Sequence, residues 1–110
     1  MKFEEKIEEL GRKFRHQFHK RNEHKAELVR MLGDWDDSRI TFFETDGEIE
    51  GRASVWNGMT GETEWEGAIT YSEDEDNQRK FFEQIENALG QMNHEFERIA
   101  KENNENPDEW

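Results

Sequence analysis

Apolar residues recur at helical spacing near the start of the chain. They lie three or four positions apart and are Phe3, Ile7, Leu10, Phe14 and Phe18, with Leu28, Met31 and Leu32 resuming the pattern. This spacing places the side chains on one stripe of a helix. Because Gly33 supplies a stop signal after the last of them, we predict a first helix over residues 3–32. Arg21 and Lys25 interrupt the stripe, so either the helix bends near Asn22 or both cations meet acidic partners across the packing face.

A second helical stripe covers the last third of the chain. Its apolar residues again alternate spacings of three and four: Phe82, Ile85, Leu89, Met92, Phe96 and Ile99, with Phe81 widening the stripe. Ser72 and Glu75 have the spacing of a capping box, and an acidic first turn suits the helix dipole. We therefore predict a second helix over residues 73–103.

The segment between the two stripes has the pattern of an antiparallel meander. Asp46-Gly47 is a strong two-residue hairpin signal, and Gly61 suits the left-handed position of a three-residue loop. The predicted strands are residues 38–45, 48–57 and 62–71. Their registers pair Ile40 with Ala53, Phe42 with Gly51, Val55 with Trp65 and Ile49 with Tyr71. Both hairpins place these residues on one face, which is the face we expect to be buried.

The opposite face of this predicted sheet is acidic and carries two large aromatic residues. Its predicted partner-binding set is Phe43, Glu48, Glu50, Trp56, Glu62, Glu64 and Glu66, with Arg52 among them. Trp is enriched in the hot spots of interfaces, which favours a binding role for this face. In the alternative, a helix covers the face, and Phe43 and Trp56 belong to the core.

These elements predict an α+β fold of the order helix, three-stranded antiparallel meander, helix (αβββα). One domain would occupy residues 1–103, followed by a polar, frayed tail at 104–110. Each helix would span about 45 Å, whereas the sheet would be about 30 Å long. The overhanging stripes would pair with each other or with a second copy. We expect a homodimer that buries stripe residues such as Phe14, Phe18, Phe96 and Ile99.

The chain is strongly acidic, and its charge is unevenly distributed. Its net charge is −13 over 110 residues, with +3 in residues 1–32 and −16 in the remainder. An acidic surface repels nucleic acid and attracts basic partners, although such charge can also serve solubility alone or reflect a halophilic origin. The chain contains no cysteine, which excludes thiolate zinc sites and fits a reducing compartment. We expect a cytoplasmic protein.

Residues with catalytic or metal-binding potential are few. His16, His19 and Glu23 would share one face of the first helix, but basic neighbours oppose cation binding there. No serine has the setting of a nucleophile elbow, so we predict no catalysis, no metal and no cofactor. Gly11 and Gly90 interrupt the predicted helices, where they either allow close approach of the helices or of an aromatic ring, or are simply tolerated.

The stretch from Asn57 to Glu75, in which acidic strands lead through Tyr71-Ser72-Glu73 into an amphipathic helix, resembles the small acidic phage anti-CRISPR proteins. That resemblance implies a DNA mimic that occupies the nucleic-acid site of a nuclease. The helix–three strands–helix order and the Trp56-Asn57-Gly58 turn also resemble the YbaB-type nucleoid-associated family, which implies a dimeric DNA-binding protein.

Charge and resemblance together predict a non-catalytic acidic binding protein. We expect an inhibitor or adaptor that occupies the basic, nucleic-acid-binding surface of a protein partner such as a nuclease, in the host cytoplasm if the chain is phage-encoded. Direct binding of nucleic acid is not expected under this hypothesis. The alternative hypothesis is a homodimeric, nucleoid-associated type of DNA-binding protein.

Overall fold

The computed structural model describes residues 1–33, 36–75 and 77–103. Its elements are α1 (Glu4–Lys13), β1 (Gln17–Asn22), β2 (Lys25–Leu32), β3 (Asp36–Thr45), β4 (Glu48–Asn57), β5 (Glu62–Tyr71) and α2 (Gln78–Glu102). The strands form one antiparallel five-stranded meander in the order β1-β2-β3-β4-β5. The predicted three-stranded αβββα fold is therefore wrong. The predicted tail at 104–110 lies outside the described residues.

The sheet has a covered inner face and an open outer face. Alternate strand residues point inward and are fully buried, among them Leu28, Ile40, Phe42, Val55 and Ile69. Both helices pack on this inner face, where α2 contributes Phe81, Ile85, Leu89, Met92, Phe96 and Ile99. We call the outer side, on which neither helix packs, the open face.

The predicted first helix is correct only as far as Lys13. Beyond it the chain turns sharply: Arg15 adopts a left-handed φ of 63°, and the backbone N–H of His16 donates to the Gly11 carbonyl at 2.8 Å. Residues 17–32 then form the β1–β2 hairpin, in whose turn the Asn22 side chain accepts a hydrogen bond from the N–H of His24. The helix prediction over this segment is wrong because the pairing of β2 with β3 favours a strand there.

The predicted central registers are confirmed. Ile40 pairs with Ala53, Phe42 with Gly51, Val55 with Trp65, and Ile49 with Tyr71. Asp46 and Gly47 both have positive φ, as a type I′ turn requires, and Gly61 has a φ of 73°. These local turn signals were sufficient to set the pairing of three strands.

α2 begins later than predicted. Its N-cap is Asn77, whose side chain accepts from the Lys80 N–H at 3.2 Å, so the capping box predicted at Ser72 is wrong. Ser72 instead closes a turn by accepting from the Glu75 N–H at 3.3 Å. The apolar stripe itself is as predicted, because its six core members are buried or half-buried against the sheet.

Polar side chains along α2 form hydrogen bonds with the edge strand β5. Gln84 both donates to and accepts from the backbone of Thr70, at 3.0 and 3.2 Å. Gln91 accepts from the Trp65 indole at 3.2 Å, and Arg98 donates to the Glu64 carboxylate at 3.2 Å. Since these helix residues are seven apart, they lie on one face of α2 and cover successive parts of the edge.

The residues predicted for a dimer interface contact the core of their own chain instead. Phe96 and Ile99 are buried, and Phe14 and Phe18 are half-buried against the core. α1 is also too short to overhang the sheet, because it has 10 residues and spans only about 15 Å. A homodimer stays a prediction, but it needs another surface.

The two helical glycines give a matched test of the packing. A Cβ added at Gly11 would collide with Cδ2 of the fully buried Leu28, so we expect Gly11→Ala to destabilise the fold by about 1–3 kcal/mol. At Gly90 the nearest atom, on the Phe14 ring, is 3.9 Å away, so Gly90→Ala should be neutral or stabilise by up to about 1 kcal/mol. Urea unfolding of both variants measures this, and equal effects would contradict the packing of α1 on β2.

Candidate functional site

The structure separates the seven residues predicted to bind a partner. Phe43, Glu48, Glu50, Trp56 and Glu66 occupy positions on the open face, with Phe43 and Trp56 exposed by 40% and 41%. The alternative in which a helix covers these aromatic residues is therefore wrong for the described part of the chain. Their surroundings are not uniformly acidic, because β1 and β2 add cations that the three-stranded prediction lacked.

Glu62 and Glu64 do not join the open face. The register shifts between Val55 and Trp56, so that Glu64 becomes an extra residue in β5. Its carboxylate accepts from Arg98 and from the Asn57 side chain, both at 3.2 Å on the helix side of the sheet. Glu62 pairs with Asn57, also a helix-side position. A β-bulge explains this difference, since one extra residue reverses the direction of the side chains beyond it.

The two exposed aromatic residues lie near opposite ends of the open face. Trp56 pairs with Asp37, which is six residues from Phe43 along β3. At the rise of a strand this separation is about 20 Å. Phe43 and Trp56 therefore belong to two different parts of the face and cannot contact the same side chain of a partner.

An ion-pair network occupies the middle of the open face. Glu27 is almost fully buried there and accepts from Arg21 and, at 3.1 Å, from Arg39. Burial alone would raise the pKa of Glu27, but the hydrogen bond from Arg21 and the charge of Arg39 hold it below its usual value. Asp37 accepts from Arg39 at 3.0 Å, and burial nevertheless raises its pKa. Arg21, which interrupts the predicted helical stripe, thus has an acidic partner. The two residues meet on a sheet and not on a helix.

Carboxylates gather at the end of the sheet that holds the β3–β4 turn. The turn and the β5–α2 connection meet there, since Gly47 lies directly against the Glu73 side chain. The acidic residues of this end are Glu44, Asp46, Glu48, Glu50, Glu73, Asp74 and Glu75. The ammonium group of Lys2 forms an ion pair with Glu73 at 3.3 Å, and the backbone N–H of Lys2 donates to the Glu44 carboxylate at 2.8 Å. We call this region the acidic end.

A groove of about 340 Å³ runs along the acidic end. Its carboxylates come from Glu48, Glu50 and Glu75. The ring of Phe43 is exposed there, whereas Tyr71, which also lines the groove, is buried. Glu50 pairs with Arg52 at 3.0 Å, whereas Glu48 and Glu75 form no ion pair with any residue that the structure describes. Glu75 is absent from the predicted binding set because its spacing from Ser72 predicted a helix cap.

The histidine cluster predicted on the first helix does not form. His16 is buried, with Nδ1 2.8 Å from the Phe14 carbonyl and Nε2 2.8 Å from the Ser38 hydroxyl. The carbonyl can only accept, so Nδ1 carries the proton and Nε2 accepts from Ser38. His19 lies on β1, and Glu23 lies in the turn that follows. Within residues 1–33, 36–75 and 77–103, no three side chains form a potential metal site.

Comparisons with known proteins identify no relative. No protein-family model matches the sequence, and searches of curated proteins and of solved structures return no significant match. The resemblances to anti-CRISPR and nucleoid-associated proteins therefore stay predictions. Neither helix of the described chain is long and apolar enough to cross a membrane.

Burial of His16 predicts acid sensitivity. Desolvation lowers its pKa to about 4 from an ordinary value of 6.5. Between these pH values the unfolded chain is protonated at His16, whereas the folded chain is not. The contribution of the neutral, buried His16 to the free energy of unfolding is therefore complete above pH 6.5 and falls as the pH approaches 4. The free energy of unfolding should decrease by about 3 kcal/mol over this range.

Urea unfolding from pH 7 to pH 4.5 tests this expectation. His16→Gln should be less stable at pH 7 and should lose less stability on acidification than the original chain. His94→Gln, at an exposed position of α2, should keep the original slope. Equal slopes for the original chain and both variants would show that another group controls the acid sensitivity.

Proposed function

We propose that this chain is a non-catalytic binding protein that receives basic side chains of a protein partner at its acidic end. The observation that carries the proposal is the groove in which Glu48 and Glu75, both without an ion-pair partner in the described chain, adjoin the exposed ring of Phe43. Carboxylates without an internal partner keep their charge available for an external cation.

The shape of the groove suits a lysine or arginine side chain. Such side chains place an apolar stem along aromatic surface while the charged head stays among polar groups. Phe43 offers the aromatic surface, and the carboxylates of Glu48, Glu50 and Glu75 line the same groove. The Phe43 ring also receives a cation directly, since the Lys25 ammonium group lies 5.4 Å from its centroid.

Internal pairing of the cations supports an acidic rather than a basic binding surface. The N-terminal third carries the net positive charge, but Lys13 and Arg30 pair with Glu86 and Glu97 of α2, at 3.5 and 3.4 Å. Because these cations are engaged within the chain, they are less available for phosphates. We therefore favour an inhibitor or adaptor of a basic protein over a DNA-binding protein.

The partner that fits best is a protein whose own basic surface binds nucleic acid. Occupying that surface with carboxylates would exclude phosphates from it, which is the chemistry of an inhibitor. The absence of cysteine from the sequence suits action in the reducing cytoplasm, and we include that location in the proposal.

A titration with an arginine-rich decapeptide tests the site. We expect backbone NMR signals of Phe43, Glu48 and Glu75 to shift, with an affinity that weakens at high salt. The double variant Glu48→Lys/Glu75→Lys should bind the peptide at least about tenfold more weakly, because two attractive contacts become repulsive.

A matched control separates the groove from net charge. Glu5→Lys/Glu9→Lys changes the charge by the same amount on exposed residues of α1 and should keep most of the affinity. If both double variants lose affinity equally, the peptide senses only overall charge. If neither loses it, the groove is not the site.

A further inference from the structure

The open face carries most of the large apolar surface that the described chain exposes. The large hydrophobic residues exposed by 40% or more are Met31, Phe43, Trp56 and Met59. The first three lie on the open face, on β2, β3 and β4, whereas Met59 lies in the β4–β5 loop. Exposed apolar residues on an uncovered sheet face indicate an interaction surface.

We propose that a second copy of this chain packs against it, open face to open face, about a two-fold axis that runs along β3. This interface differs from the helical one predicted from the sequence. It does not rest on the proposed function, although it shares Phe43 and Glu50 with the groove of the acidic end. Two sheets that pack face to face keep their strands nearly aligned, which such an axis achieves.

The strand order determines which residues would meet. Rotation about an axis along the central strand places β1 over β5 of the other copy and β2 over β4, while β3 faces itself. Residues in one cross-strand row stay in that row. Met31, Asp37 and Trp56 form one such row across β2, β3 and β4. The axis therefore places Trp56 of each copy over Met31 of the other.

The other end of the face is self-complementary in the same way. Lys25, Phe43 and Glu50 form a second row across the same three strands. The axis places Phe43 over its own counterpart and Lys25 over Glu50 of the second copy. One symmetry operation thus matches all three exposed apolar residues of the face and pairs Lys25 with Glu50. Asp37 faces its own counterpart, with its charge compensated by Arg39 of the same chain.

The central row follows the same rule. Glu27, Thr41 and Arg52 are aligned across β2, β3 and β4, so the axis places Arg52 in the row of Glu27 of the second copy. Arg39 would lie near its own counterpart on the axis, but its charge is compensated within each chain by Glu27 and Asp37.

The size of the face is adequate for a specific dimer. Five strands at about 4.8 Å spacing and eight residues at about 3.4 Å rise give roughly 650 Å² of flat area. Stable interfaces bury about 800 Å² per partner. The accessible area of this face exceeds the flat area, because side chains project from the sheet. These rows favour a second copy as the partner, because residues of one row meet residues of the same row in the other copy. Trp56 meets Met31, Glu50 meets Lys25, and Arg52 meets Glu27.

Two charge reversals test the symmetry itself. Lys25→Glu alone would place two carboxylates together at both symmetry-related contacts of a homodimer, and Glu50→Lys alone would place two ammonium groups together there. Each single variant should dimerise at least about tenfold more weakly than the original chain. An equimolar mixture of the two variants removes this repulsion if the rows meet as proposed. In the mixed dimer, one contact joins the two introduced side chains and the other joins the original Lys25 and Glu50. Both contacts then pair opposite charges. A heterodimer should therefore form with close to the original affinity.

Sedimentation velocity from 1 to 200 µM provides the readout, with circular dichroism confirming that each variant folds. Lys80→Glu and Glu83→Lys, which make the same changes at exposed positions of α2, are the controls and should leave dimerisation unchanged. A monomeric original chain over this range would overturn the proposal. So would a mixture that stays monomeric, or single variants that dimerise normally. Since peptide binding is measured on Glu48 and Glu75, failure of the dimer leaves the proposed function standing.

Discussion

The structure depends on the packing of one apolar stripe of α2 against the inner face of the sheet. Fully buried residues such as Phe81, Ile85 and Met92 each contribute roughly 1.5–3 kcal/mol through removal from water. A small chain with one such helix can cover only one face of a five-stranded sheet. The open face is a consequence, and alternation along each strand decides which side chains it presents.

The distribution of charge across the open face links the fold to the proposed interactions. The β1–β2 hairpin brings Arg21 and Lys25 to one side of the open face, whereas β4 and β5 bring Glu50 and Glu66 to the other. Such a division allows two copies to complement each other. The acidic end borders this interface: a second copy would share Phe43 and Glu50, whereas Glu48 and Glu75 lie outside the three matched rows and stay available to a basic partner.

Local signals in the sequence predicted the central hairpins, whereas the edge strands required non-local information. Asp46-Gly47 and Gly61 set turns on their own, and the registers followed. Leu28 and Leu32 are four residues apart, a spacing that suits both the helical and the strand period. Only the pairing of β2 with β3 decides between them, and the buried Arg30, held by Asn93 at 2.9 Å, follows no hydrophobic pattern. The same limit affected the site: Phe43, Glu48 and Glu50 were predicted together, but the bulge that moves Glu64 was not.

The adjacent residues Phe42 and Phe43 provide the most direct test of the claim that one face is covered and the other open. They differ by one position along β3, and their exposed fractions are 0% and 40%. Hydroxyl-radical footprinting at a dilution where sedimentation gives a monomer should oxidise Phe43 many times faster than Phe42. Similar rates for the two rings, or faster oxidation of Phe42, would contradict the account.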